Sequence, residues 1–240
     1  MESRRNLGQI PLRTRAGKVE GFSFVLARER LSAHNQSKAM SPNAPRRPAS
    51  PPDPKRRSYL RRLPPEAYQG RVAVHWSMTI HRRARGWLDE TFHLQFRECL
   101  AHAAFLEGLA IPLYCLMPDH LHLLALGFRA ESNQQAALAF LRRQVNRLLR
   151  ARGEFELQRQ AYDHVLDAED ESGVDGVQAV ARYIQENPLR AGLVQDPAAL
   201  TAYPFLGCLL PGYPDVSIWL ADYWERFWRI YAHSETRFSS

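Results

Sequence analysis

A chain of 240 residues with 45% hydrophobic composition is long enough to bury one real core and too short for two full domains. Lysine and arginine number 32 against 25 acidic residues, a formal net charge of +7, which suits a polyanionic partner because each phosphate met by a cation releases counterions. Cys99, Cys115 and Cys208 are scattered and odd in number, which excludes a disulfide framework or a CxxC metal site and points to a reducing cytoplasm.

Residues 1–60 carry basic pairs (Arg4-Arg5, Arg46-Arg47, Arg56-Arg57) and a proline- and serine-rich run over 41–54 without sustained periodicity. Such a stretch buries too little apolar surface to offset its ordering entropy, so a disordered basic arm is expected. Two readings stay open: a DNA-tracking tail, or a start codon assigned too early, with Met40 as one candidate for the true start. The opening residues lack the apolar core of a secretory leader, and no apolar run reaches the length of a membrane span. No membrane association is expected.

Order is expected to begin near Pro64. Over 71–80, Val72, Val74, Trp76, Met78 and Ile80 alternate with His75, Ser77 and Thr79, the period of a half-buried strand. Asp89 is placed to cap a helix to about Leu106, with Phe92, Phe96, Cys99, Ala103 and Leu106 as its buried stripe, and Gly108 ends it. Two apolar runs, 111–117 and 120–126, flank Pro118-Asp119 and predict a hairpin. A second helix is expected over 133–152, with Ala137, Phe140, Leu141, Val145, Leu148 and Leu149 inward. Its Arg142, Arg143, Arg147 and Arg150 form either a solvated face or a phosphate-contact surface. Residues 157–166 suggest a further strand. A third helix starts near Asp175 and is expected to end at Asn187, because Pro188 disfavours helical geometry in the residue before it. Trp219, Tyr223, Trp224, Phe227 and Tyr231 recur at helical spacing, for core packing in the first place and base stacking in the second. The expected fold is α+β, an antiparallel sheet with helices on one face. The domain spans 61–210, and an aromatic helix within 211–240 packs on it.

The chemistry-bearing residues fall in two places. His120 and His122 share one face of a strand, opposite Leu121 and Leu123, and two neutral imidazoles side by side form half of a divalent-metal site; surface strand histidines are the alternative. Tyr183 borders the apolar stripe Val177, Val180, Ala181 and Ile184, with Asn187 one turn along. An ordinary half-buried tyrosine is the plain reading there. An ordinary tyrosine hydroxyl has a pKa near 10, so about one in a thousand is ionised at neutral pH. Attack on a phosphodiester therefore calls for an ion that polarises the phosphate. Asn187 offers an amide oxygen as third ligand and Glu186 is the second choice. Mg²⁺ or Mn²⁺ keeps coordination positions open for phosphate oxygens.

Three segments carry a resemblance. Leu116-Met117-Pro118-Asp119-His120-Leu121-His122-Leu123-Leu124 resembles the "MPNHxHLL" strand of the HUH single-tyrosine transposases. Arg182-Tyr183-Ile184-Gln185-Glu186-Asn187-Pro188-Leu189-Arg190-Ala191-Gly192-Leu193-Val194 is similar to the "YIxxNPxRAGLV" segment of their REP-associated branch. Between them, Gln158-Arg159-Gln160-Ala161-Tyr162-Asp163-His164-Val165-Leu166 resembles "WQxRFYDHxL". The resemblance covers roughly residues 68–206. It implies a central antiparallel sheet bearing the histidine pair and faced by the tyrosine helix, with His120, His122 and Asn187 holding Mg²⁺ or Mn²⁺ and Tyr183 as the nucleophile of a 5′-phosphotyrosine intermediate. The implied partner is single-stranded DNA with hairpins, contacted also by Arg190. A monomer is implied rather than a homodimer, in the bacterial cytoplasm at the nucleoid. A hairpin-binding protein without turnover is the alternative function. Asp119 stands where the family has asparagine, to cap the turn or to back the metal ligands. Leu157 and Ala161 replace aromatic residues, which puts DNA-facing packing there in question.

Overall fold

The computed structural model describes residues 62–166 and 174–237; the expected basic arm over 1–60 lies outside the described residues. Five antiparallel strands form one sheet in the order β4-β1-β3-β2-β5. The strands are β1 (Ala73–Thr79), β2 (Leu109–Met117), β3 (His120–Gly127), β4 (Tyr162–Val165) and β5 (Leu206–Leu209). The β2–β3 hairpin closes on Pro118-Asp119, with Met117 opposite His120 and Cys115 opposite His122.

Helices cover both faces of this sheet rather than the single face expected. On one face, α1 (Glu90–Glu107) and α2 (Gln134–Arg150) pack on Val74, Trp76, Met78, Leu121, Leu123 and Ala125. On the other, α3 (Val174–Gln185) and α5 (Tyr223–Arg237) pack through Val177, Ala181, Ile184 and Phe227 on Cys115, Leu124 and Leu126. Two-sided burial explains why β2 and β3 read as nearly continuous apolar runs instead of alternating ones. It also buries His75, which the alternation alone assigned to the open side of β1.

Local signals set the helix ends. The Asp89 carboxylate accepts from Phe92 N–H at 2.7 Å, Gly108 takes the left-handed conformation with φ of 63°, and the Asn133 amide oxygen accepts from Ala136 N–H at 3.0 Å. In α1 the buried stripe is Phe92, Phe96, Leu100, Ala103 and Ala104. Cys99 sits at its border and Leu106 faces solvent, because a stripe at 3.6 residues per turn drifts away from strict three- and four-residue steps.

Two other expectations need correction. The strand over 157–166 is shorter: Leu157 makes only an isolated bridge to Ile80, while Arg142 reaches across to hold the carbonyls of Gln158 and Arg159. Leu157 and Ala161, which the resemblance left in question, are packed in the α1/α2 core and present no open surface. Pro188 does not stop the helical path. The third helix ends at Gln185, and Pro188 lies in the first turn of a short helix, α4 (Asn187–Arg190), where a missing N–H costs nothing.

The C-terminal aromatic helix begins at Tyr223, after Trp219, and buries Tyr223, Phe227, Ile230 and Tyr231. Tyr231 donates its hydroxyl to the Gly127 carbonyl at 2.6 Å. Core packing, the first of the two readings, is what this stripe does. Among the described residues no helix is long and apolar enough to cross a membrane, and the three cysteines are free thiols.

Candidate active site

The α3 face of the sheet carries a line of imidazoles at the end where β3 begins. His120 Nε2 and His122 Nε2 approach to 3.1 Å. Each ring is held from behind: His120 Nδ1 lies 2.7 Å from an Asp119 carboxylate oxygen, and His122 Nδ1 lies 3.0 Å from His75 Nε2. The other Asp119 oxygen accepts from Arg83 at 3.0 Å. Burial alone raises the Asp119 pKa, but the hydrogen bonds from His120 and Arg83 outweigh it and hold the carboxyl below its ordinary value. An ionised carboxylate only accepts, so in neutral His120 the proton sits on Nδ1 and Nε2 keeps its lone pair.

Burial drives the pKa of His122 down to about 3, helped by His75, His120 and Arg190. Burial with the nearby His164 takes His75 down to about 4. Both rings are therefore neutral at pH 7, the form that ligates metals. His75 can accept from His122 Nδ1–H, which leaves a lone pair on each of the two neighbouring Nε2 atoms. A separation of 3.1 Å suits two nitrogens bound to one ion at about 2.1 Å each. The outer partners Asp119 and His75 are of the kind that orient metal-ligating histidines. Of the two roles open for Asp119, the geometry favours backing His120. The donor set thus fits a divalent ion, but only half of its shell. Among the described residues, no three His, Cys, Asp or Glu side chains are arranged to hold an ion, so an ion at this pair would need amide, phosphate or water oxygens to complete its shell.

Helix α3 brings Tyr183 over this line. Its ring centroid is 6.1 Å from that of His75 and 6.1 Å from that of His122, and the residue is 48% exposed. Arg190 comes back from α4 to cover the ring, with its guanidinium carbon 4.3 Å from the centroid, and also donates to the Tyr183 carbonyl. Asn187 is buried, and its side-chain nitrogen has no hydrogen-bond partner. Among the described residues it makes no direct hydrogen bond to either histidine. Glu186 is paired with Arg190 at 3.0 Å.

The arginines of α2 are not part of this cluster, because α2 packs on the opposite face of the sheet. Arg142 is tied to the Gln158 and Arg159 carbonyls, Arg150 lies 3.6 Å from Glu156, Arg147 donates to Gln144, and Arg143 is exposed. Sequence reasoning missed His75 and Arg83. His75 stands alone in β1 with no spacing signal, and only the β1–β3 register, which sets Ser77 opposite His122, brings it alongside.

No protein-family model and no curated protein sequence matches the chain. Among solved structures, a REP-associated tyrosine transposase bound to a REP hairpin is similar, with a TM-score of 0.50 and 16% identity over 62% of this chain and 82% of that one. The likeness is one of fold: the α+β architecture with a central antiparallel sheet is shared.

Proposed function

We propose that this protein cleaves and rejoins single-stranded DNA at hairpin-forming repeats, with Tyr183 as nucleophile and Mg²⁺ or Mn²⁺ held by His120, His122 and the Asn187 amide oxygen. The observation that carries the reading is the meeting of two segments far apart in sequence: the exposed Tyr183 ring stands edge-on to His122 across a 6.1 Å centroid distance. The hairpin substrate is suggested by the solved structure of similar fold, whose own partner is a REP hairpin.

In this reading the Tyr183 oxygen attacks the phosphorus of a DNA phosphodiester. The bond to the 3′ oxygen breaks, and a free 3′-hydroxyl leaves with a proton while the 5′ phosphate stays on Tyr183. Attack by another 3′-hydroxyl reverses the exchange, so one ester replaces another and no nucleoside triphosphate is consumed. The ion, when bound, supplies charge stabilisation at the phosphate oxygens. Asp119 and His75 hold the two histidine rings, and Arg190 positions the Tyr183 ring while adding positive charge beside it. The reading includes action as a monomer. Such a protein would work at the nucleoid in the cytoplasm.

The deciding experiment incubates the protein with hairpin-bearing single-stranded DNA and Mg²⁺ or Mn²⁺ and seeks a denaturation-resistant protein–DNA adduct. The adduct is expected in the wild type and absent with EDTA, in Tyr183→Phe and in His120→Ala. An adduct formed by Tyr183→Phe would remove Tyr183 as nucleophile. Tight hairpin binding without any adduct across a range of hairpins would favour the binding protein without turnover.

A further inference from the structure

The proposed cleavage centre occupies only part of its sheet face. The edge strand β4 extends that face by one more strand, with Tyr162 directly opposite Ser77, and Ser77 is in turn opposite His122. Residues directly opposed on neighbouring strands project to the same side. Tyr162, Ser77 and His122 therefore form one row across three strands, roughly 10 Å from end to end at the usual strand spacing. Ser77 is small and leaves the row open between its ends. The opposite-facing residues of β4 belong to the other layer: Asp163 accepts from Tyr68, and Val165 packs against the α1/α2 core.

Tyr162 is 52% exposed, and among the described residues nothing hydrogen-bonds its hydroxyl or stacks on its ring. A core role is thus excluded. A large exposed aromatic on the last strand, in line with a phosphodiester-cleaving centre, matches what single-stranded nucleic acid needs beside its scissile phosphate: a flat apolar surface for an unstacked base. We infer that Tyr162 is a base-stacking platform that seats the nucleotide neighbouring the scissile phosphate. The inference rests on the single-stranded-DNA reading above and adds to it a residue that positions substrate without touching the reacting atoms.

The test uses the Tyr183→Phe protein, so that binding is measured without turnover, with Mg²⁺ and a fluorescein-labelled hairpin oligonucleotide carrying a single-stranded flank. Tyr162→Ala is expected to weaken binding by about 5- to 100-fold, the range for loss of one base–aromatic stack, while Tyr162→Phe stays within about twofold. An abasic scan of the flank is expected to find one position where the parent protein loses the same factor and Tyr162→Ala loses nothing further, the coupling expected of a direct contact. Equal binding by Tyr162→Ala, or equal sensitivity of both proteins at every abasic position, overturns the platform and leaves the cleavage reading standing. Failure of the parent protein to bind any hairpin-bearing single strand overturns both. A melting temperature unchanged in Tyr162→Ala separates these outcomes from misfolding.

Discussion

His75 Nε2 lies 3.0 Å from His122 Nδ1, so the histidine pair of β3 is backed on one side by a third imidazole from β1 and on the other by Asp119. This arrangement makes the outer partners testable apart from the ligands themselves. Replacing His75 by Ala removes the group that orients His122 and is expected to weaken Mn²⁺ binding by about 10- to 100-fold, measured by calorimetry on the folded protein. Unchanged Mn²⁺ affinity would show that His75 does not support the site.

Asp119 accepts from His120 Nδ1 and from Arg83. An asparagine there still offers an oxygen to His120 but loses the charge that pairs with Arg83. Asp119→Asn is therefore expected to retain adduct formation within a few-fold, whereas Asp119→Ala, which frees the His120 ring, is expected to lose about tenfold or more. If Asn and Ala behave alike, the hydrogen bond to His120 is not what matters.

Arg190 covers the Tyr183 ring at 4.3 Å. An exposed cation–π contact contributes about 0.5–1 kcal/mol, so Arg190→Ala is expected to slow adduct formation by at least two- to fivefold through ring positioning alone. Any loss of charge at the phosphate adds to that. Time courses of adduct yield at saturating DNA measure it, and a wild-type rate in Arg190→Ala would remove this residue from the site.

The arginines of α2 lie across the sheet from Tyr183. Any phosphate they contact is away from the cleavage centre. Arg143→Ala with Arg147→Ala is expected to flatten the salt dependence of hairpin binding and to leave the rate of adduct formation from bound DNA unchanged. A slower rate at saturation contradicts the placement.

A titration effect is expected from the histidines that folding buries. His93 Nε2 lies 2.9 Å from the Tyr114 hydroxyl, and burial, with Arg97 nearby, lowers the His93 pKa to about 4. The unfolded chain then binds this proton more tightly than the folded one. Stability is full above about pH 6.5, the unfolded value, and falls as pH drops toward 4. His75 and His122, depressed in the same direction, add to the same slope. Chemical denaturation from pH 7.5 to 4 should show it, with a shallower slope in His93→Gln; identical slopes would argue that His93 is not held neutral.

Periodicity and capping chemistry carried much of this structure in the sequence itself. The 120–126 run with its Pro118-Asp119 turn, the Asp89 and Asn133 caps, and the shared face of His120 and His122 are local consequences of backbone geometry. They required no knowledge of what packs where. The resemblance of three short segments added the expected pairing of that strand with Tyr183. Tertiary structure alone decided the rest. Covering both faces of the sheet buried His75. Register across β4, β1 and β3 aligned Tyr162 with His122. The packing of α2 on the far layer separated its arginines from the site, and continuation through Pro188 into α4 returned Arg190 to Tyr183. These are relations between residues far apart in sequence, set by which surfaces bury together, and no local period encodes them.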